Sequence, residues 1–269
     1  MGDFIRQPAV AGTFYPLEAG ELRATLDAYL DQGASHTPPA TSVPKAMIVP
    51  HAGYIYSAPV AASAYARLRP ARERIRQVVL LGPSHRVRLR GLATSSATHF
   101  RTPLGLVPLQ RALIGKIESL PQVQQLDAAH AEEHSLEVHL PFLQMTLEDF
   151  SLIPLVVGDA TAPQVGEVLE MLWGDEQTLI VISSDLSHYL DYESARRRDR
   201  TTSDAIERFD VEAIHYEDAC GRNPLNGLLN IAKAHHLHAH TIDLRNSGDT
   251  AGPADRVVGY GAYVFDEHA

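Results

Sequence analysis

Fourteen histidines stand in this 269-residue chain, and three of them close short apolar runs. Met47–Tyr56 reads MIVPHAGYIY, where the run stops at Pro50 and His51 follows. Val78–His85 reads VVLLGPSH and ends in His85. Leu179–His188 reads LIVISSDLSH and ends in Asp185 and His188. Neutral imidazole is the commonest metal ligand, and a thiolate is a strong soft one. His51, His85 and the single cysteine, Cys220, are therefore candidate ligands. A lone histidine at a strand end is more often a polar turn residue, and a lone cysteine is usually a buried small hydrophobe. Two histidines on adjacent strands shift the balance. Spacing alone still leaves a metal site and a set of turn residues both open. In Asp185-x-x-His188, a carboxylate that orients a histidine is the economical reading.

Two rival chemistries are also spelled out. Residues 130–142, HAEEHSLEVHLPF, hold His130, Glu133 and His134 in the H-x-x-E-H order of a zinc protease, whose histidines share one helix face. The motif is short and lacks a comfortable third ligand, because Glu137 and His139 lie too close. An ordinary, partly exposed helix outranks it. A third reading has His134, Glu137 and His139 lining a site formed elsewhere. Ser183 or Ser184 near His188 suggests a serine nucleophile, but there is no G-x-S-x-G elbow. No G-x-G-x-x-G or Walker sequence supports nucleotide binding.

The elements that must position these residues follow from periodicity. Apolar runs closed by Gly, Pro or Ser read as buried strands. They predict strands at 45–49, 77–81, 151–157, 178–183, 239–245 and 257–265. Helices are predicted at 21–31, after a Ser57 cap, at 109–119, 162–173 and 192–208. A longer helical segment spans 129–148, and Pro141 breaks or kinks it near Leu140. Another helix covers 211–219 with Gly221 as its C-cap, and Pro224 opens the next at 225–236. Such alternation implies an α/β fold in one domain, with a mainly parallel sheet flanked by helices. Ligands of such sheets bind beyond the carboxyl ends of the strands, where His51, His85, Asp185 and His188 fall. Gly33–Pro44 has linker composition but lies too early to separate a pair of domains.

The net charge of −10 argues against nucleic acid as the main partner. No apolar run approaches the ~20 residues of a membrane helix. The start of the chain lacks the pattern of a signal peptide. One cysteine excludes an intramolecular disulfide, so the cytoplasm is the expected location. Arginines flank the second strand. Arg67, Arg69, Arg72, Arg74 and Arg76 read as a solvated helix end and loop. Arg86, Arg88 and Arg90 follow His85, where a plain surface loop and an attraction for anionic substrate are both open.

The blocks AVAGTFYP, VPHAGYIYSAPVAASAY, LLGPSH, TPLG, EEHSLEVHLPFL, ISSDLSHY and CGRNP, taken in order, resemble the Memo family from about residue 6 to residue 265. The resemblance implies a fold similar to the class III extradiol dioxygenases of the protocatechuate 4,5-dioxygenase type, with a pocket at one sheet edge. It implies a metal held by His51, His85 and Cys220, with His188 as acid/base and Asp185 as its orienting partner. His134, Glu137, His139 and Tyr54 would line the substrate pocket. Iron is the implied cofactor, with copper or zinc as alternatives, because the cysteine softens a position where the dioxygenases carry a carboxylate. The implied function is a redox enzyme acting on a phenolic or related small molecule, or else a non-catalytic binder of a metal or peptide. AMMECR1-like and radical-SAM proteins, encoded beside many microbial members, are the implied partners.

Overall fold

Four strands rich in Val, Ile and Leu, Ala46–Val49, Gln77–Pro83, Ser151–Val157 and Thr178–Ser183, are buried at nearly every position. Strands covered on both faces need such continuous apolar runs. A computed structural model, which describes residues 4–36 and 42–267, places these four side by side and parallel. Their order is 46–49, 178–183, 77–83, 151–157. The register pairs Val49 with Ser183 and Leu81 with Ile182. His51, His85 and Asp185 each stand two residues past a strand end, at one carboxyl edge.

The parallel order holds at the centre of the sheet and gives way outside it. Val257–Asp266 runs antiparallel to Ala46–Val49 and carries His238–Asn246 and His188–Leu190 as antiparallel neighbours. On the other side Leu92–Thr94 runs antiparallel to Ser151–Val157, with Val123–Gln125 beyond it. A separate small sheet joins Ile5–Arg6 to the hairpin of His99–Thr102 and Gly105–Pro108. Helices flank the large sheet in an α/β arrangement around one contiguous apolar core. The helices Ala19–His36, Tyr54–Tyr65 and Leu140–Thr146 pack together, and so do Ala162–Leu172 and Arg222–Ala234.

Several boundaries differ from the sequence reading. Gly33 to His36 continue the first helix, and residues 37–41 of the linker-like stretch lie outside the described residues. The second helix starts at Tyr54 with Gly53 before it, so Ser57 is no cap; its hydroxyl donates to the Ala52 carbonyl at 2.7 Å. The segment 129–148 is no single helix: Asp127–Ala131 ends early, a short 3₁₀ turn covers Glu137–His139, and a new helix opens with Pro141 in its first turn. Proline lacks an N–H, and the first turn is where that loss costs least. The expected 211–219 helix is only a turn at Val211–Ala213. Gly221 starts the next helix at Arg222 rather than closing a previous one. A Cβ at Gly221 would stand 2.4 Å from the Ser183 carbonyl oxygen. Glycine here lets the helix start press against the end of the central strand, and this brings Cys220 to the sheet edge.

Candidate metal centre

One ring nitrogen each from His51, His85 and His134 falls within 4.8 Å of the other two. The His85 and His134 rings stack at 4.7 Å, and His51 stands edge-on to both. Cys220 Sγ lies 3.4 Å from His51 Nε2. The cluster is graded in exposure: His51 is buried, His134 and Cys220 are partly covered, and His85 opens to solvent.

Counting protons fixes the state of His51. Ser183 Oγ touches the Ser135 carbonyl oxygen at 2.6 Å, His51 Nδ1 at 2.6 Å and His139 Nε2 at 2.9 Å. A hydroxyl has one proton to give, and a carbonyl can only accept. Ser183 therefore donates to Ser135, and both imidazoles donate to Ser183. His51 thus carries its proton on Nδ1 and turns a bare Nε2 lone pair toward Cys220. His139 carries its proton on Nε2, so its Nδ1 accepts from the Tyr65 hydroxyl at 3.0 Å. Burial, then repulsion from His85 and His134, lowers the His51 pKa well below the usual imidazole range, so the ring stays neutral.

Glu133 does the same for His85. Its carboxylate accepts from His85 Nδ1 at 2.9 Å and from the backbone N–H groups of His85, His134 and Ser135 at 2.6, 3.0 and 2.9 Å. Burial alone would raise its pKa, but these bonds and the His85 charge outweigh it and bring the group to about 2. An ionised carboxylate cannot donate, so His85 Nδ1 bears a proton, and in the neutral ring Nε2 is the nitrogen left bare. This is the carboxylate–histidine pairing found behind metal-bound imidazoles. His134 Nδ1 is buried without a hydrogen-bond partner.

The thiol of Cys220 is pushed up by burial and then by the Asp185 carboxylate, while the Asp185 backbone N–H points at its sulfur from 3.3 Å. An imidazole and a thiolate on one tetrahedral ion, at about 2.0–2.1 and about 2.3 Å from it, stand about 3.5 Å apart. The observed 3.4 Å fits that pair. The nitrogens of His51, His85 and His134 stand at a mutual spacing that suits one metal ion, and the Cys220 sulfur is at ligand spacing from His51.

Other sequence expectations land elsewhere. Asp185 accepts the His51 backbone N–H at 2.7 Å and makes no hydrogen bond to His188; burial raises its pKa against that bond. His188 is exposed and donates Nδ1–H to the Leu186 carbonyl at 2.8 Å. Glu137 is not among the residues that line the cleft beside the cluster. It is buried and accepts from Tyr15, Ala9 and Val10 at 2.6, 2.7 and 3.0 Å, and it pairs with Arg6. Tyr54 is buried too, its hydroxyl donating to the Val138 carbonyl at 2.7 Å. His139 reaches the cluster only through Ser183. The protease geometry is absent: the helix ends at Ala131, and His130 Nε2 donates to the Ala93 carbonyl at 3.0 Å behind the cluster. Ser183 and Ser184 are fully buried and engaged, which removes the serine-nucleophile reading.

Sequence reasoning missed Ser183 as the residue that sets the His51 tautomer, and it missed Arg6. Arg6 donates to the carbonyls of Glu133 and His130 at 2.7 and 3.0 Å, tying the arm of residues 4–16 to the Glu133 segment. The signal for Ser183 was its place as the last residue of an apolar strand. Arg6 had none.

The site is thus a histidine-rich, cysteine-bearing cluster at the carboxyl edge of an α/β sheet. The model of the family described as "Memo-like protein" matches residues 6–264. A MEMO1 family protein of Aquifex aeolicus is 38% identical over 97% of this chain and 99% of its own length. Relatives with the same family name in Methanosarcina mazei and Metallosphaera sedula are 34% and 33% identical over the same shares. This chain belongs to the Memo-like family. In fold it is similar to an uncharacterized Escherichia coli K12 protein, JW3007, whose crystal structure matches with a TM-score of 0.51 at 13% identity, covering 81% of this chain and 98% of that one.

Proposed function

We propose that His51, His85 and Cys220 hold one metal ion, with His134 beside it, and that the protein is a cytoplasmic, metal-dependent redox enzyme of the dioxygenase-like kind. The observation that carries this reading is the pair of bare Nε2 atoms, each set by a dedicated partner, with a sulfur 3.4 Å from one of them. Two imidazoles and a thiolate suit ferrous iron, copper or zinc; iron is the proposed metal. Bound there, iron would supply open positions for O₂ and an oxygen-donor substrate. The chain supplies the rest. Glu133 and Ser183 hold the two rings in the ligating tautomer. His188, with Nδ1 committed to a carbonyl, keeps Nε2 free to accept or return a substrate proton.

Metal analysis of protein purified without oxygen tests this reading. The wild type should retain near-stoichiometric metal, and the His51→Ala/His85→Ala double variant should lose it. Oxygen uptake with phenolic substrates should follow metal content. Metal absent from both proteins after anaerobic reconstitution with ferrous iron would defeat the enzyme and leave a binding protein.

A further inference from the structure

Cys220 lines one wall of a cleft of about 700 Å³ that opens beside the histidine cluster. Tyr216 and Pro224 give the cleft apolar surface, and Arg88 and Arg90 give it charge. The loop that carries these arginines is fixed to the end of the Ser151–Val157 strand. Asp159 N–H donates to the Leu89 carbonyl, and Gly91 N–H to the Asp159 carbonyl, both at 2.9 Å. A Cβ at Gly158 would stand 2.1 Å from the Leu89 oxygen, so the close approach depends on that glycine. Leu89 is buried, while its neighbours on either side are exposed. In extended backbone, residues two apart project to the same side, so Arg88 and Arg90 face outward together.

The earlier arginines behave differently. Arg69, Arg72, Arg74 and Arg76 pair with Asp31, Glu148, Glu176 and Asp149. Among the described residues no carboxylate pairs with Arg88 or Arg90, although the chain carries ten more negative than positive charges. Asp159 lines the same cleft and leaves its charge positive overall. The helix Arg222–Ala234 also begins there, through Asn223 and Pro224, and adds the partial positive charge of a helix start.

We propose that this cleft is the substrate pocket and that it takes a small organic anion, a carboxylate or phosphomonoester on an apolar body. The anionic group would sit on Arg88 and Arg90, and the body on Tyr216 and Pro224. Its reacting end points toward Cys220, a direction that rests on the metal-centre reading; the anion subsite itself does not.

Calorimetric titration of the full-length, metal-free protein with 4-methylbenzoate, phenyl phosphate and the neutral 4-methylbenzamide tests the subsite. At least one anion should bind about tenfold tighter than the amide, the size of effect two solvent-facing charge pairs supply. The Arg88→Gln/Arg90→Gln variant should lose that preference while keeping the wild-type melting temperature and zinc uptake. A preference for neither anion, or one that survives in the variant, would overturn the proposal. Zinc uptake is read in parallel. Anion preference in a protein that takes up no zinc would uphold the cleft and remove the metal centre; zinc uptake without anion preference would do the reverse.

Discussion

Glu133 shows how one side chain links fold and site. Its carboxylate takes four hydrogen bonds: two from backbone N–H groups of the turn it closes, and two from the backbone and ring of His85. Its folded pKa of about 2 lies below the ordinary 4.5. The stabilisation is complete above pH 4.5 and is lost as pH falls toward 2, and it amounts to on the order of 3 kcal/mol. Glu133→Gln keeps the shape but removes the charge that orients and strengthens His85. Loss of such a partner typically costs about 10–100-fold in metal affinity. Zinc titration against a competing chelator should read that loss with the fold intact, and unchanged affinity would remove Glu133 from the site. Ser183→Ala should act on His51 in the same direction, since the Nδ1 proton would lose its acceptor and the ring would be free to switch tautomer.

At the scale of elements, the start of the Arg222–Ala234 helix decides where Cys220 stands. Gly221→Ala would place a methyl group against the Ser183 carbonyl and the Ser184 side chain. Overpacking of this kind costs about 1–3 kcal/mol. Urea unfolding should show that loss, and metal uptake should fall with it because the helix start carries the sulfur. The central strands were legible in the sequence because continuous Val, Ile and Leu runs have one common use, burial on both faces of a sheet. With them came the shared edge for His51, His85 and Asp185. The helix around Cys220 was misread because glycine serves equally at a helix end and at a close crossing, and only the neighbouring strand distinguishes them. The His130–His139 stretch was misread for a related reason. Its periodicity suits a helix, but backbone N–H groups converging on Glu133 hold it as turns. Glu137 and Tyr54 were placed in a pocket because polar residues near histidines suggest one. Their partners, Arg6, Tyr15 and the Val138 carbonyl, are set by tertiary packing that spacing does not reveal.

At the scale of the whole molecule, Asp199 and the buried histidines act on stability in the same acid range with opposite signs. Asp199 is buried under the antiparallel edge and accepts the Ser187 N–H at 3.0 Å. Burial outweighs that bond and raises its pKa from 3.8 to about 6. The folded state therefore holds this proton more tightly than the unfolded chain. Its contribution, on the order of 3 kcal/mol, is full below pH 3.8 and is lost as pH rises to about 6. The wild-type urea midpoint should fall relative to that of Asp199→Asn between about pH 4 and 6, while the loss from Glu133 below pH 4.5 stays in both proteins. A difference between the wild-type and Asp199→Asn midpoints that stays constant across that interval would contradict this assignment. The Glu133 loss comes from the turn behind the histidine cluster, and the Asp199 contribution from the helix packed on the antiparallel edge of the sheet.

Cobalt(II) substitution bears most directly on the metal centre, because it reports ligand type as well as binding. Spectra of the wild type and Cys220→Ser would be recorded during anaerobic titration with cobalt(II). The wild type is expected to develop a near-ultraviolet thiolate-to-metal charge-transfer band that saturates at one equivalent. The variant is expected to lose that band while keeping the weaker visible bands of histidine-bound cobalt. A wild type that binds no cobalt, or a spectrum that does not change when Cys220 is replaced, would contradict a centre built from His51, His85 and Cys220.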